Sequence, residues 1–117
     1  MDYNEIFKFK TKEFAINIIE VFSALKYTDA ISIVRKQIIR SATSVAANYR
    51  AMCRARSDKE RFAKLSIVVE EADETLFWLE IAETMNILHI NVLSQLKDKA
   101  IEILKATATY RKKLSDF

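Results

Sequence analysis

Apolar residues recur along this chain at steps of three and four, the spacing that gathers them on one face of an α-helix. Phe7, Phe14, Ile18, Val21 and Leu25 form the first such row, with Ala15, Ile19 and Phe22 beside it. They predict helix 1 over roughly residues 4–26. Two start signals compete there: Asp2 three residues before Glu5, and Thr11 ahead of Phe14. Ile31, Val34, Ile38, Ala42, Val45, Tyr49 and Met52 predict helix 2 over roughly 29–55, with Thr28 or Asp29 as its cap. Ser57 and Glu60 have the S-x-x-E spacing in which a hydroxyl and a carboxylate each satisfy an unpaired backbone N–H, so helix 3 runs over roughly 58–85. After a turn over 86–91, Leu93, Leu96, Ala100, Ile103, Thr107, Tyr110 and Leu114 predict helix 4 over roughly 91–115.

Helix 3 carries two apolar sets. Phe62, Leu65, Val69, Ala72, Leu76 and Leu79 make its core seam; Ile67, Trp78, Ile81 and Met85 face another way. Together they exceed what a half-buried helix of a monomer requires, which marks Trp78 and Ile81 as candidates for a subunit interface. Short connections make sequential helices antiparallel neighbours. The expected fold is therefore all-α, an up-down-up-down four-helix bundle forming a single domain over 1–117.

Composition sharpens this reading. The chain of 117 residues has no glycine and no proline, so the residues that most often punctuate turns are missing and nearly all of it must be helix. Half the residues are hydrophobic and 30% charged, and charges interrupt every apolar run before it could span a membrane. The N-terminus, MDYNEIFKFK, has no apolar core of a signal peptide, which points to the cytoplasm. Cys53 is the single cysteine and reads as a small buried hydrophobe.

Chemistry of the catalytic kind finds little material. A di-metal bundle site needs Glu-x-x-His motifs, yet His89 is the one histidine and Asn86 stands three residues before it. No cofactor or metal is expected. Ser41, Ser44 and Asn48 repeat along the edge of helix 2, where an unpaired polar atom would cost about 1–3 kcal/mol, so they need partners. If helices 2 and 3 fold back about Arg56, Arg40 comes near Asp73 and Glu74, Ser44 near Glu70, and Asn48 near Ser66. The polar residues then fix register instead of catalysing, since no nucleophile, base and orienting group can be assembled from them. The chain is expected not to be an enzyme.

The net charge of +3 is modest, but its placement is not. An up-down bundle gathers the start of helix 1, the turn between helices 2 and 3, and the end of helix 4 at one pole. Residues 1–12 contribute +1, residues 50–64 contribute +4 and residues 105–117 contribute +3, leaving −5 for the rest of the chain. Helix dipoles favour cations in last turns, which accounts for Arg50, Arg54, Arg111, Lys112 and Lys113. They do not account for Lys8, Lys10, Lys12, Lys59, Arg61 and Lys64, which lie early in their helices. Such a pole suits an anionic partner, nucleic acid being the commonest, with Arg50, Arg54, Arg56, Arg61 and Lys112 as candidate phosphate contacts.

The stretch QIIRSATSVAANYRAMCRARS in helix 2 resembles a Q-L-x-R-x-x-x-S-x-x-x-N block, and KLSIVVEEADETLFWLE in helix 3 resembles a K-L-x-I-x-x-x-E-A-x-E-x-x-x-W-L block. Both blocks belong to the four-helix-bundle family of proteins encoded in intervening sequences of bacterial 23S ribosomal RNA genes. On that resemblance Gln37, Arg40, Ser44, Asn48, Glu71, Glu74 and Trp78 fall at the family's recurrent positions. Where many relatives read N-x-x-E-G, this chain has Asn48-Tyr49-Arg50-Ala51-Met52. The family is in turn similar to the accessory protein of diversity-generating retroelements, a homopentamer that binds RNA and reverse transcriptase. The resemblance implies a homo-oligomer, with a pentamer preferred. It leaves two readings open: binding of structured RNA through the basic pole, which leads, or a scaffold that docks a protein.

Overall fold

The computed structural model describes residues 2–115, which form four helices and no strand. They are α1 (Tyr3–Ser23), α2 (Asp29–Cys53), α3 (Asp58–Met85) and α4 (Ile90–Leu114), packed as an antiparallel bundle of 47 × 24 × 19 Å. None of the helices is long and apolar enough to cross a membrane.

Each helix begins on a side chain that accepts a backbone N–H left over by the first turn. Asp2 Oδ1 accepts from Glu5 N at 2.8 Å, Thr28 Oγ1 from Ile31 N at 3.0 Å, and Ser57 Oγ from Glu60 N at 3.1 Å. At α4 it is His89 Nδ1, which accepts from Asn91 N at 3.1 Å. Asp2 thus starts α1, and Thr11 lies buried within that helix with its hydroxyl donating to the Phe7 carbonyl. With no glycine available, Asn86 takes the left-handed conformation that ends α3, at φ 55°.

Five boundaries, both ends of α1 and α4 and the end of α2, differ from expectation by one to three residues. α1 stops at Ser23, short of Lys26, because Arg35 of α2 donates from Nη1 to the carbonyls of Phe22 (3.3 Å) and Leu25 (3.0 Å) and so closes the helix end from outside. α2 stops at Cys53, where Arg54 and Ala55 N–H groups fold back onto Ala51 and Met52 carbonyls, and α4 starts at Ile90.

The core is built from Phe14, Ile18 and Phe22 of α1, Ile38, Val45, Tyr49 and Met52 of α2, and Leu93, Leu96 and Ile103 of α4, packed around α3. The α3 seam is a correction. Its buried row is Leu65, Val68, Ala72, Thr75, Leu79 and Ala82, whereas Phe62, Val69 and Leu76 are only half-buried. The true row passes through a threonine because its hydroxyl has partners on both sides: Thr75 Oγ1 lies 2.8 Å from the Glu71 carbonyl of its own helix and 2.8 Å from Ser41 Oγ of α2, which in turn lies 3.2 Å from the Ile38 carbonyl. Both side chains are fully buried. The second apolar set also divides. Trp78 and Ile81 pack partly against the bundle's own core, while Ile67 and Met85, together with Phe77, stand exposed.

Thr75→Val keeps the shape of this residue and removes the tie between α2 and α3, so it is expected to cost about 0.5–1.5 kcal/mol, read as a lower urea midpoint. Asn48→Leu is expected to cost less, because the Asn48 amide bonds within its own helix; a Thr75→Val midpoint equal to the parent's would show that the tie does not hold the hairpin. Tyr49 is fully buried, yet its hydroxyl has no hydrogen-bond partner among the described residues. Removing it as Tyr49→Phe is therefore expected to leave stability unchanged or raise it by about 1 kcal/mol, and a clear drop in thermal midpoint would reveal a bond at that oxygen.

Candidate functional site

Aromatic packing holds three helices together at one end of the bundle. The Tyr3 ring lies 4.8 Å from Phe7 and meets Tyr110 edge-on at 5.8 Å, and Phe7 lies 6.3 Å from Tyr49. The Tyr3 hydroxyl donates to the Ala106 carbonyl at 3.3 Å, and Cys53 Sγ sits 3.9 Å from the Asn4 carbonyl. The start of α1, the end of α2 and the end of α4 therefore converge, and their charges converge with them. Asp116, which entered the charge count of this pole, lies outside the described residues.

Of the candidate phosphate contacts, Arg50, Arg54, Arg56 and Lys112 are exposed, and among the described residues the three arginines form no ion pair. Arg61 is different. Its guanidinium bridges Asp58 Oδ1 at 2.8 Å and the Ala55 carbonyl at 3.3 Å, which clamps the turn between α2 and α3. Lys8 pairs with Glu5 and Lys10 with Glu102, both at 2.9 Å.

Between α1 and α2 this pole opens into a groove of about 690 Å³. From α1 it is lined by Glu5, Lys8, Phe9, Lys12, Ile16 and Ile19, and from α2 by Thr43, Ala46, Ala47, Arg50 and Arg54. The sequence reading assigned Phe9, Lys8 and Lys12 no site role. The available signal was the alternation Lys8-Phe9-Lys10, which puts a large apolar ring off the core row of helix 1 among cations.

Folding back about Arg56 brings Arg40 to Glu74 as expected, whereas Ser44, Asn48 and Ser66 bond within their own helices. Arg40 Nη1 bonds Glu71 Oε2 at 2.9 Å and Nη2 bonds Glu74 Oε2, while Asp73 stays exposed outside this pair of bonds. The hydrogen bond with Glu74 does most to raise the Arg40 pKa above its usual value; desolvation opposes it, and the Glu71 charge adds to it. Asn48 does not reach Ser66. It donates from Nδ2 to the Ser44 carbonyl (2.9 Å) and hydroxyl (3.1 Å), and Ser66 donates to the Phe62 carbonyl at 2.9 Å. Ser44 is thereby engaged within α2 and not with Glu70. A side chain four residues away on the same helix reaches its neighbour at no cost in long-range positioning, so the local bond wins.

No reactive group emerges from this geometry. Burial pushes the Cys53 thiol up, the opposite of activation, and burial likewise drives the Tyr49 phenol far above its usual range. Trp78 Nε1 is buried with no hydrogen-bond partner among the described residues. Among the described residues, no three His, Cys, Asp or Glu side chains are grouped to hold a metal ion.

Residues 5–109 match the sequence profile of the 23S rRNA-intervening sequence protein family. The fold is similar to the crystal structure of a protein of unknown function from the S23 ribosomal protein family of Bacteroides thetaiotaomicron, with 30% identity and a TM-score of 0.83 over 93% of this chain and 97% of that one. No curated protein matches the sequence.

Proposed function

The chain belongs to the 23S rRNA-intervening sequence protein family, and from that premise we propose that it is a non-enzymatic, cytoplasmic homo-oligomer that binds RNA phosphates through its basic pole. The observation that carries this reading is the set of exposed guanidinium groups of Arg50, Arg54 and Arg56, paired with no carboxylate among the described residues, at a pole that also holds Lys8 and Lys12. Long cationic side chains kept unpaired are held in readiness for an anion outside the molecule. The contact is to phosphates and implies no readout of base sequence. Lys112 extends the surface from α4, whereas Arg61 supports it by holding the turn.

A second reading, a scaffold that docks a protein, draws on α3. Ile67, Phe77 and Met85 stand exposed there beside half-buried Trp78 and Ile81, an apolar area suited to contact between chains. The two readings share the homo-oligomer, for which a pentamer is preferred on the resemblance to the retroelement accessory protein.

Affinity for structured RNA is expected to fall by about 0.7–0.9 log units per log unit of salt for each phosphate neutralised. Replacing Arg50, Arg54 and Arg56 together by Gln should reduce that slope by roughly 2–3 while helicity and assembly persist. Unchanged affinity and slope would leave the pole a solubilising surface and bring the scaffold reading forward. Light scattering at micromolar concentration is expected to give a mass near five times the 13.6 kDa of the chain, and a monomer would remove the oligomer from both readings.

A further inference from the structure

Phe9 is 63% exposed, so most of its ring contributes nothing to the core and stays in contact with water. It stands on α1 between two grooves, lining both the one shared with α2 and a smaller one of about 350 Å³ shared with α4. Four cations surround the α1–α2 groove: Lys8 and Lys12, one turn apart on α1, and Arg50 and Arg54, one turn apart on α2. The single carboxylate lining it, Glu5, is already paired with Lys8.

A duplex offers such a surface only its phosphates, because its bases are stacked on one another. An unpaired strand offers phosphates and free base faces together, and an exposed aromatic ring beside a cationic groove matches both. Resting on the RNA reading above, we infer that the α1–α2 groove takes a single-stranded segment of nucleic acid, with a base stacked on Phe9 and flanking phosphates on Lys12, Arg50 and Arg54. A protein partner with an apolar ridge would use Ile16 and Ile19 but would leave Lys12, Arg50 and Arg54 in need of acids, and is the less complete match.

The test measures binding of a labelled oligouridylate and of a short RNA duplex to the intact protein at one salt concentration. Phe9→Ala should weaken binding of the single strand by about five- to a hundredfold and leave the duplex unchanged, and Phe9→Tyr should restore it. Because Phe9 is so exposed, circular dichroism of the alanine variant should match the parent. Equal single-strand affinity for Phe9→Ala and parent, or equal losses for strand and duplex, overturns the stacking site while the phosphate reading stands. Failure of the parent to bind either RNA overturns both. Dissociation of the parent's oligomer by Phe9→Ala would show that a second copy of the chain occupies the groove, and would also overturn the assignment.

Discussion

The bundle depends on one requirement: each of four long helices must bury a single apolar stripe against the others. Isolated helices are marginal in water, because propagation barely outweighs a costly nucleus, and tertiary packing supplies most of their stability. Ile18, Phe22, Ile38, Val45, Met52, Leu65, Val68, Leu79 and Ile103 are all withdrawn from water almost completely, which no helix of the set achieves alone. A chain without glycine or proline has few ways to break its helices, so the turns fall where a capping side chain is available. Asp2, Thr28, Ser57, His89 and the left-handed Asn86 do that work. Surface ion pairs such as Lys8 with Glu5 or Lys97 with Glu83 are minor additions, of about 0–1 kcal/mol each for exposed groups.

Helix number, order and the Asp2, Thr28 and Ser57 caps were legible, the first two caps as one of two candidates each, since both the 3.6-residue repeat and the capping spacings are local properties of sequence; the His89 and Asn86 caps were not. What was not legible required knowing a neighbour. Thr75 is polar, so a search for apolar rows steps past it to Leu76 and shifts the α3 seam; the Glu71 carbonyl of its own helix and Ser41 on α2 together make its burial acceptable. Arg35 ends α1 by reaching back to its carbonyls, and nothing near Ser23 in sequence announces that. Asn48 was placed against Ser66 by a fold-back estimate that ignored the shorter reach to Ser44.

The candidate site shows the same division. Summing charge over segments located the pole, because topology alone brings those segments together. Charge counting gives every arginine equal weight, however, and cannot distinguish Arg54, which faces solvent, from Arg61, whose guanidinium is spent on Asp58 and Ala55. Phe9 escaped for the opposite reason: in a search for core positions an aromatic off the apolar row is simply left over. Its meaning came from the groove beside it and the cations around that groove.

The seam between α1 and α4 is much less extensively packed than the other three contacts between neighbouring helices. Its ties, the Tyr3 hydroxyl on Ala106, the Tyr3 ring on Tyr110 and the Lys10 ammonium on Glu102, all come from the first half of α1. Parts of a protein with little shared packing open first, at free energies well below that of global unfolding. The α1–α4 seam should therefore part before the other three, and hold longest where Tyr3 meets α4. Opening there would leave α1 packed on α2, so the groove between them would keep its cations in place while the side facing α4 loosens.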